Sequence, residues 1–146
     1  MNAIPTSAWT NLSFNFAGAK VLVTGGSSGI GKGIADAYLA AGAEVAITGT
    51  RCSAQDYDEN LSGFRFLQYD AEDAASTDAV AAAISVLDII VNSAGVALYA
   101  TGFDEMDPDI FDRSLRLHLS SVFRLVAGDS HEWSKHPPGS PSMGEA

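Results

Sequence analysis

The sequence is poor in cysteine, in basic residues and in long apolar runs. Its 146 residues include a single cysteine, Cys52. No disulfide can form within the chain, and no set of cysteines and histidines has the spacing of a zinc site. Nothing around Cys52 marks it as a nucleophile, so it reads as a spare thiol. Lysine and arginine number 8 against 18 acidic residues, for a formal net charge of −10. A chain this acidic is a poor partner for nucleic acid or an anionic membrane surface. Acidity does not exclude an anionic small molecule, because backbone N–H groups bind phosphate locally. No segment reaches the roughly 20 apolar residues of a membrane-crossing helix. Residues 1–10 lack the basic stretch and apolar run of a secretory signal. These absences point to a reducing, cytoplasmic setting.

Hydrophobic residues make up 47% of the chain, enough for one globular domain with a core. After a polar lead-in over residues 1–18, Lys20–Thr24 (KVLVT) is a short apolar run ending at Gly25 and Gly26. Such a run suits a strand buried on both faces of a parallel sheet. Ile30, Ile34, Tyr38 and Leu39 recur at helical spacing, and Gly42 closes that helix. Residues 45–48 (VAIT) predict a second strand and 63–68 (GFRFLQ) a third. Residues 71–86 predict an alanine-rich helix with Val80, Ile84 and Leu87 on one face. Residues 87–91 (LDIIV) predict a fourth strand, ending at Asn92-Ser93-Ala94-Gly95. Asp107 and Pro108 supply an N-cap and a first-turn proline, and Phe111, Leu115, Leu119, Val122 and Val126 follow as one apolar stripe. Strands alternating with helices argue for an α/β fold with a parallel sheet. Beyond Ala127 this pattern stops. Residues 128–146 are rich in Gly, Ser and Pro, and Pro137, Pro138 and Pro141 exclude a helix there. They read as a disordered or aberrant tail without a strand, with residues 1–127 as the domain.

The chemistry is concentrated in Thr24-Gly25-Gly26-Ser27-Ser28-Gly29-Ile30-Gly31, between the first strand and the first helix. Glycine is needed there so that the chain can turn sharply, a phosphate can approach the backbone, and the helix can pack closely on the strand. The helix N-terminus adds N–H groups and a partial positive charge. These residues suit the pyrophosphate of a dinucleotide cofactor. Two other readings stay open. The turn also fits a tight connection with no ligand. Gly26 to Lys32 fits the G-x-x-x-x-G-K of a triphosphate loop, although Gly33 stands where a Mg²⁺-binding hydroxyl is required. At the end of the second strand, NAD-binding folds place a carboxylate on the ribose 2′-hydroxyl. Here the sequence is Thr48-Gly49-Thr50-Arg51. No acid is present, and Arg51 is placed to pair with a 2′-phosphate, which favours NADP over NAD. The alternative is an ordinary surface arginine.

Taken together, the motifs resemble those of the short-chain dehydrogenase/reductase family. Residues 24–31 are similar to its T-G-x-x-x-G-I-G turn, Asn92-Ser93-Ala94-Gly95 to its N-N-A-G, and Leu117-His118-Leu119-Ser120 to its V-N-L-x segment. Asp70, just after the third strand, resembles the family aspartate that contacts adenine. The resemblance runs from about Phe16 to Leu125. It implies a Rossmann-type doubly wound parallel sheet, here truncated after about four strands, with hydride transfer between a nicotinamide and a small alcohol or carbonyl. It also implies cofactor contacts at Gly25, Ser27, Ser28, Gly29, Ile30, Gly31, Arg51, Asp70, Asn92, Ala94 and Gly95.

The departures from the family concern catalysis. The family uses a serine and a tyrosine followed four residues later by lysine. The tyrosines here are Tyr38, Tyr57, Tyr69 and Tyr99, and none has that lysine. His118 stands at the family's asparagine position. It is either a substitute in the proton relay or a partly buried packing residue. The expectation is a cofactor-binding half of the enzyme, inactive alone, with a truncated or out-of-frame ending. Such a half leaves an apolar strand edge and a bare helix stripe, which invite association. The other expectations are a dehydrogenase that works through His118, and a non-enzymatic fragment that pairs through the helix at 109–127.

Overall fold

The computed structural model describes residues 13–84, 86–95, 107–128 and 132–133. Its centre is β1 (Lys20–Thr24), in which every residue after Lys20 is buried. Alternation sends Val21 and Val23 to one face of the sheet and Leu22 to the other. Both faces are therefore covered, as the continuous apolar run requires. α1 (Gly29–Ala40) covers the first face, where Ala35 packs with Val21, Val23, Val45 and Ile47. The second face carries Val80 and Ala81 of α2 (Ala74–Ala83) and Leu125 of a later helix, packed on Leu22. Each fully buried aliphatic side chain contributes about 1.5–3 kcal/mol.

β2 (Glu44–Gly49), β3 (Arg65–Gln68) and β5 (Ile89–Asn92) complete a four-stranded sheet in the order β3-β2-β1-β5. All pairs are parallel, with Val21 opposite Val45 on one side and Ile89 on the other. With helices on both faces, this is the Rossmann-type doubly wound architecture. α1 ends in two bonds, Gly42 N–H to the Leu39 carbonyl at 3.0 Å and Ala43 N–H to the Tyr38 carbonyl at 3.1 Å. Gly42 sits between them at φ +91°, the left-handed conformation this ending uses.

Several elements differ from the sequence reading. The helix expected over 71–86 spans only Ala74–Ala83. The Asp73 carboxylate caps it by accepting the N–H groups of Ala75 and Ser76, and Ile84 leaves it in extended conformation. The strand expected over 87–91 is broken into β4 (Val86–Leu87) and β5. Asp88 divides them and ties back to β1, donating its N–H to the Lys20 carbonyl at 2.9 Å and accepting the Lys20 N–H on its carboxylate at 2.8 Å. A two-residue strand, β6 (Glu132–Trp133), pairs in parallel with β4, where the sequence shows no strand.

Asp107 caps the last helix through the Asp109 N–H at 2.9 Å, with Pro108 in the first turn. The helix runs as α3 (Pro108–Leu115), a π-helical turn (Arg116–Ser120) and α4 (Ser121–Ala127). Its buried residues are Leu117, Ser121 and Leu125. The apolar stripe read from the sequence lies on its outer side, with Phe111, Leu115, Leu119 and Val126 exposed and Val122 half-buried. Bidentate ion pairs from Arg113 to Glu72 and from Arg124 to Asp78 fasten this helix to the rest of the fold.

Candidate functional site

The carboxyl ends of β1, β2, β3 and β5 open into a cleft of about 580 Å³. This is where an open α/β sheet binds its ligands. The floor is the turn between β1 and α1. Gly25 has φ +66°, and a Cβ there would lie 2.9 Å from the Ala94 Cα. A Cβ on Gly31 would collide with the Gly25 carbonyl oxygen. The helix and the turn are thus packed as closely as glycine allows.

α1 begins at this cleft. Its N-cap, Ser28, makes no side-chain capping bond, and its first turn holds no acidic residue. The first N–H groups of a helix have no intrahelical acceptor. A Cβ added at Gly29 would meet open space. Ile30 in the same turn is 82% exposed. An uncapped helix start bare of carboxylates, with room in front of it, fits a phosphate-bearing cofactor.

The Thr24 hydroxyl joins β1 to the segment after β5. It donates to the Asn92 side-chain oxygen at 2.7 Å and accepts the N–H groups of Ser93 and Ala94. Asn92 therefore stands behind the cleft as a support, while Ala94 and Gly95 line it. Gly25 N–H donates to the Thr48 hydroxyl at 3.1 Å, which fixes the turn to β2. On the β3 side, Asp70 lines the cleft, and one of its carboxylate oxygens accepts the Glu72 N–H at 2.9 Å.

Arg51 borders the cleft beyond β2. Its guanidinium lies 4.8 Å from the Tyr57 ring centroid and donates to the Asp56 carbonyl. The Tyr57 hydroxyl accepts the Arg51 N–H at 3.0 Å. Burial, the largest influence on this phenol, raises its pKa. It is outweighed by the bond from the Arg51 backbone, bonds with the Ser27 and Thr50 side chains, and the Arg51 charge, so the net shift is downward.

The structure thus gathers Gly25, Ser27, Ser28, Ile30, Gly31, Arg51, Asp70, Ala94 and Gly95 around one cleft. Gly29 sits in the turn at φ +56° without lining it. His118 lies in the π-helical turn and is exposed, not half-buried. A Cβ added to Gly95 would stand 2.9 Å from its Cε1, so the imidazole lies against the cleft rim. Tyr99 lies outside the described residues. Sequence reasoning missed Tyr57, Tyr69, Ser93 and Leu117 as lining residues. Tyr57 carries no signal, since it lies in the polar stretch DYDEN without apolar periodicity.

A Rossmann-type sheet with a glycine turn at its carboxyl edge defines a class of nucleotide-binding α/β folds. The family model for short chain dehydrogenases matches residues 19–140, and the chain belongs to that family of NAD(P)-using oxidoreductases. Its relatives include D-threitol dehydrogenase of Mycolicibacterium smegmatis, 38% identical over 79% of this chain and 47% of that protein. Carbonyl reductase [NADPH] 2 of Sus scrofa is 32% identical over 78% of this chain and 47% of its own length. The solved Pseudomonas aeruginosa RhlG/NADP active-site complex superposes with a TM-score of 0.60 at 31% identity, covering 77% of this chain and 45% of that one. The chain spans about half the length of the curated relatives it matches.

Proposed function

We propose that this chain binds a nicotinamide dinucleotide at the turn of residues 24–31 and prefers NADP to NAD. The observation that carries the reading is the uncapped start of α1, bare of acid, opening into the same cleft that Arg51 borders. In this assignment the backbone of Gly25, Ser27, Ser28, Gly29, Ile30 and Gly31 holds the pyrophosphate. Asp70 takes the adenine side, and Arg51 takes the 2′-phosphate. Asn92 and Ala94 keep the floor rigid through Thr24, and Gly95 lines it. The bound cofactor supplies hydride transfer to or from a small alcohol or carbonyl. The chain itself has no tyrosine followed four residues later by lysine to move the matching proton. As it stands, it is a cofactor-binding half with little or no turnover.

Fluorescence titration with NADPH and with NADH tests the binding, and NADPH oxidation over a panel of carbonyls tests the turnover. The expected result is tighter NADPH binding with no steady oxidation. Tighter NADH binding would remove the NADP preference. Steady turnover that disappears in His118→Ala would assign the proton to the imidazole instead.

A second reading has an observation of its own. Phe111, Leu119 and Phe123 are each more than 60% exposed along one side of the last helix. Such an apolar row suits pairing with a second copy of the chain. Sedimentation across a concentration series tests it, and a monomer at every concentration would exclude it.

A further inference from the structure

The loop after β2 holds Arg51 without neutralising it. The nearest acid that follows in the chain is Asp56, yet its carboxylate is turned to Ser53, accepting that residue's N–H at 2.9 Å and hydroxyl at 3.0 Å. The short 3₁₀ turn Ala54–Asp56 presents the Asp56 carbonyl to the Arg51 guanidinium instead. Ion pairs among the described residues join Lys32 to Asp36, Arg113 to Glu72 and Arg124 to Asp78, and none involves Arg51. In a chain of net charge −10, this cation is held by a ring face and a carbonyl.

Tyr57 supplies the ring, and its hydroxyl extends the arrangement into the cleft. It accepts the Arg51 N–H at 3.0 Å and lines the cleft together with Ser27, in the glycine turn, and Thr50, beyond β2. Gly49 leaves the space, since a Cβ there would collide with this hydroxyl. A guanidinium on a flexible stem loses rotamer freedom when it binds an anion, and one already stacked on a ring loses less.

We propose that Tyr57 is a specificity-determining residue of this cleft: its ring and hydroxyl hold Arg51, with its charge intact, for a phosphomonoester on the ribose, and so set the discrimination between NADPH and NADH. The proposal rests on the cofactor reading above and places the selectivity partly on a residue outside the glycine turn. Tyr57 acts through Arg51 and is in that sense a positioning residue.

The test compares dissociation constants for NADPH and NADH in the full chain and its variants. Tyr57→Leu removes the stack and is expected to weaken NADPH about tenfold, with NADH changed less than about twofold. Tyr57→Phe keeps the stack, loses the hydroxyl, and is expected to weaken NADPH about threefold. Arg51→Ala with Tyr57→Leu is expected to bind NADPH no worse than Arg51→Ala alone, because the ring then has nothing to hold. Retained NADH binding shows that each variant is folded. If both Tyr57 variants keep the wild-type ratio of the two constants while Arg51→Ala abolishes it, Arg51 discriminates unaided and the proposal fails. If Arg51→Ala leaves the ratio unchanged, the 2′-phosphate reading fails and the Tyr57 proposal goes with it.

Discussion

The Thr24 hydroxyl donates to the Asn92 side-chain oxygen at 2.7 Å, and the same oxygen atom of Thr24 accepts the N–H groups of Ser93 and Ala94 at 3.2 and 3.1 Å. Thr24 is fully buried; without its hydroxyl, Asn92 is exposed and turns to water, the Ser93 N–H keeps the Thr24 backbone carbonyl at 3.2 Å, and the Ala94 N–H loses its acceptor. Thr24→Val keeps the shape and deletes the hydroxyl. It is expected to lower unfolding free energy by about 1–2 kcal/mol, read by urea denaturation. Thr24→Ser is expected to recover most of the loss, and a Thr24→Val melt equal to the wild type would show that the three bonds contribute little.

Two glycines of α1 are expected to behave oppositely. Gly31→Ala drives a Cβ into the Gly25 carbonyl and should abolish cofactor binding in a fluorescence titration. Gly33→Ala meets open space inside the same helix. It should stabilise the chain by about 0.5–1 kcal/mol and leave the dissociation constant unchanged.

The last helix is expected to loosen in acid. Glu72 and Asp78 both have carboxyl pKa values held below the ordinary range, foremost by hydrogen bonds from Arg113 and Arg124 respectively. A depressed carboxylate stabilises the fold above its unfolded pKa, and the contribution is lost as pH falls through the folded value. Both pairs are well exposed to solvent, so the effect should be small and weakened by salt. Protection factors of residues 108–127 at pH 7 and at pH 3, from hydrogen-exchange rates corrected for the intrinsic rate at each pH, measure it. Arg113→Gln should remove part of the difference.

If the outer face of the last helix pairs two copies, Phe123→Glu is expected to leave the melting temperature nearly unchanged and to abolish concentration-dependent association. Equal association of variant and wild type in sedimentation would place the contact elsewhere.

The main strands are legible in the sequence because each is a short apolar run closed by glycine or a polar residue, as Lys20–Thr24 is by Gly25. The glycine turn is legible for a related reason: at Gly25 and Gly31 the fold forbids a side chain. Other features are set by bonds that composition does not reveal. The span of α2 follows from the Asp73 carboxylate and the extended backbone at Ile84, while its alanines carry little phase. The packing face of the last helix includes Ser121, whose hydroxyl donates to the Leu117 carbonyl at 2.8 Å and is thereby reconciled with burial. A count of apolar residues passes over it and selects the outer stripe. Tyr57 enters the cleft because the turn Ala54–Asp56 brings it back onto Arg51, a return that sequence spacing does not display.

The acid-free first turn of α1 has a kinetic consequence. A molecule of net charge −10 repels a cofactor rich in phosphate at long range, and attracts it only over the last few ångströms, where helix start and arginine face it. Added salt screens the distant repulsion more than the close contact. Association should therefore quicken with ionic strength at low salt, the reverse of electrostatic steering, and a stopped-flow series in sodium chloride would trace the crossover.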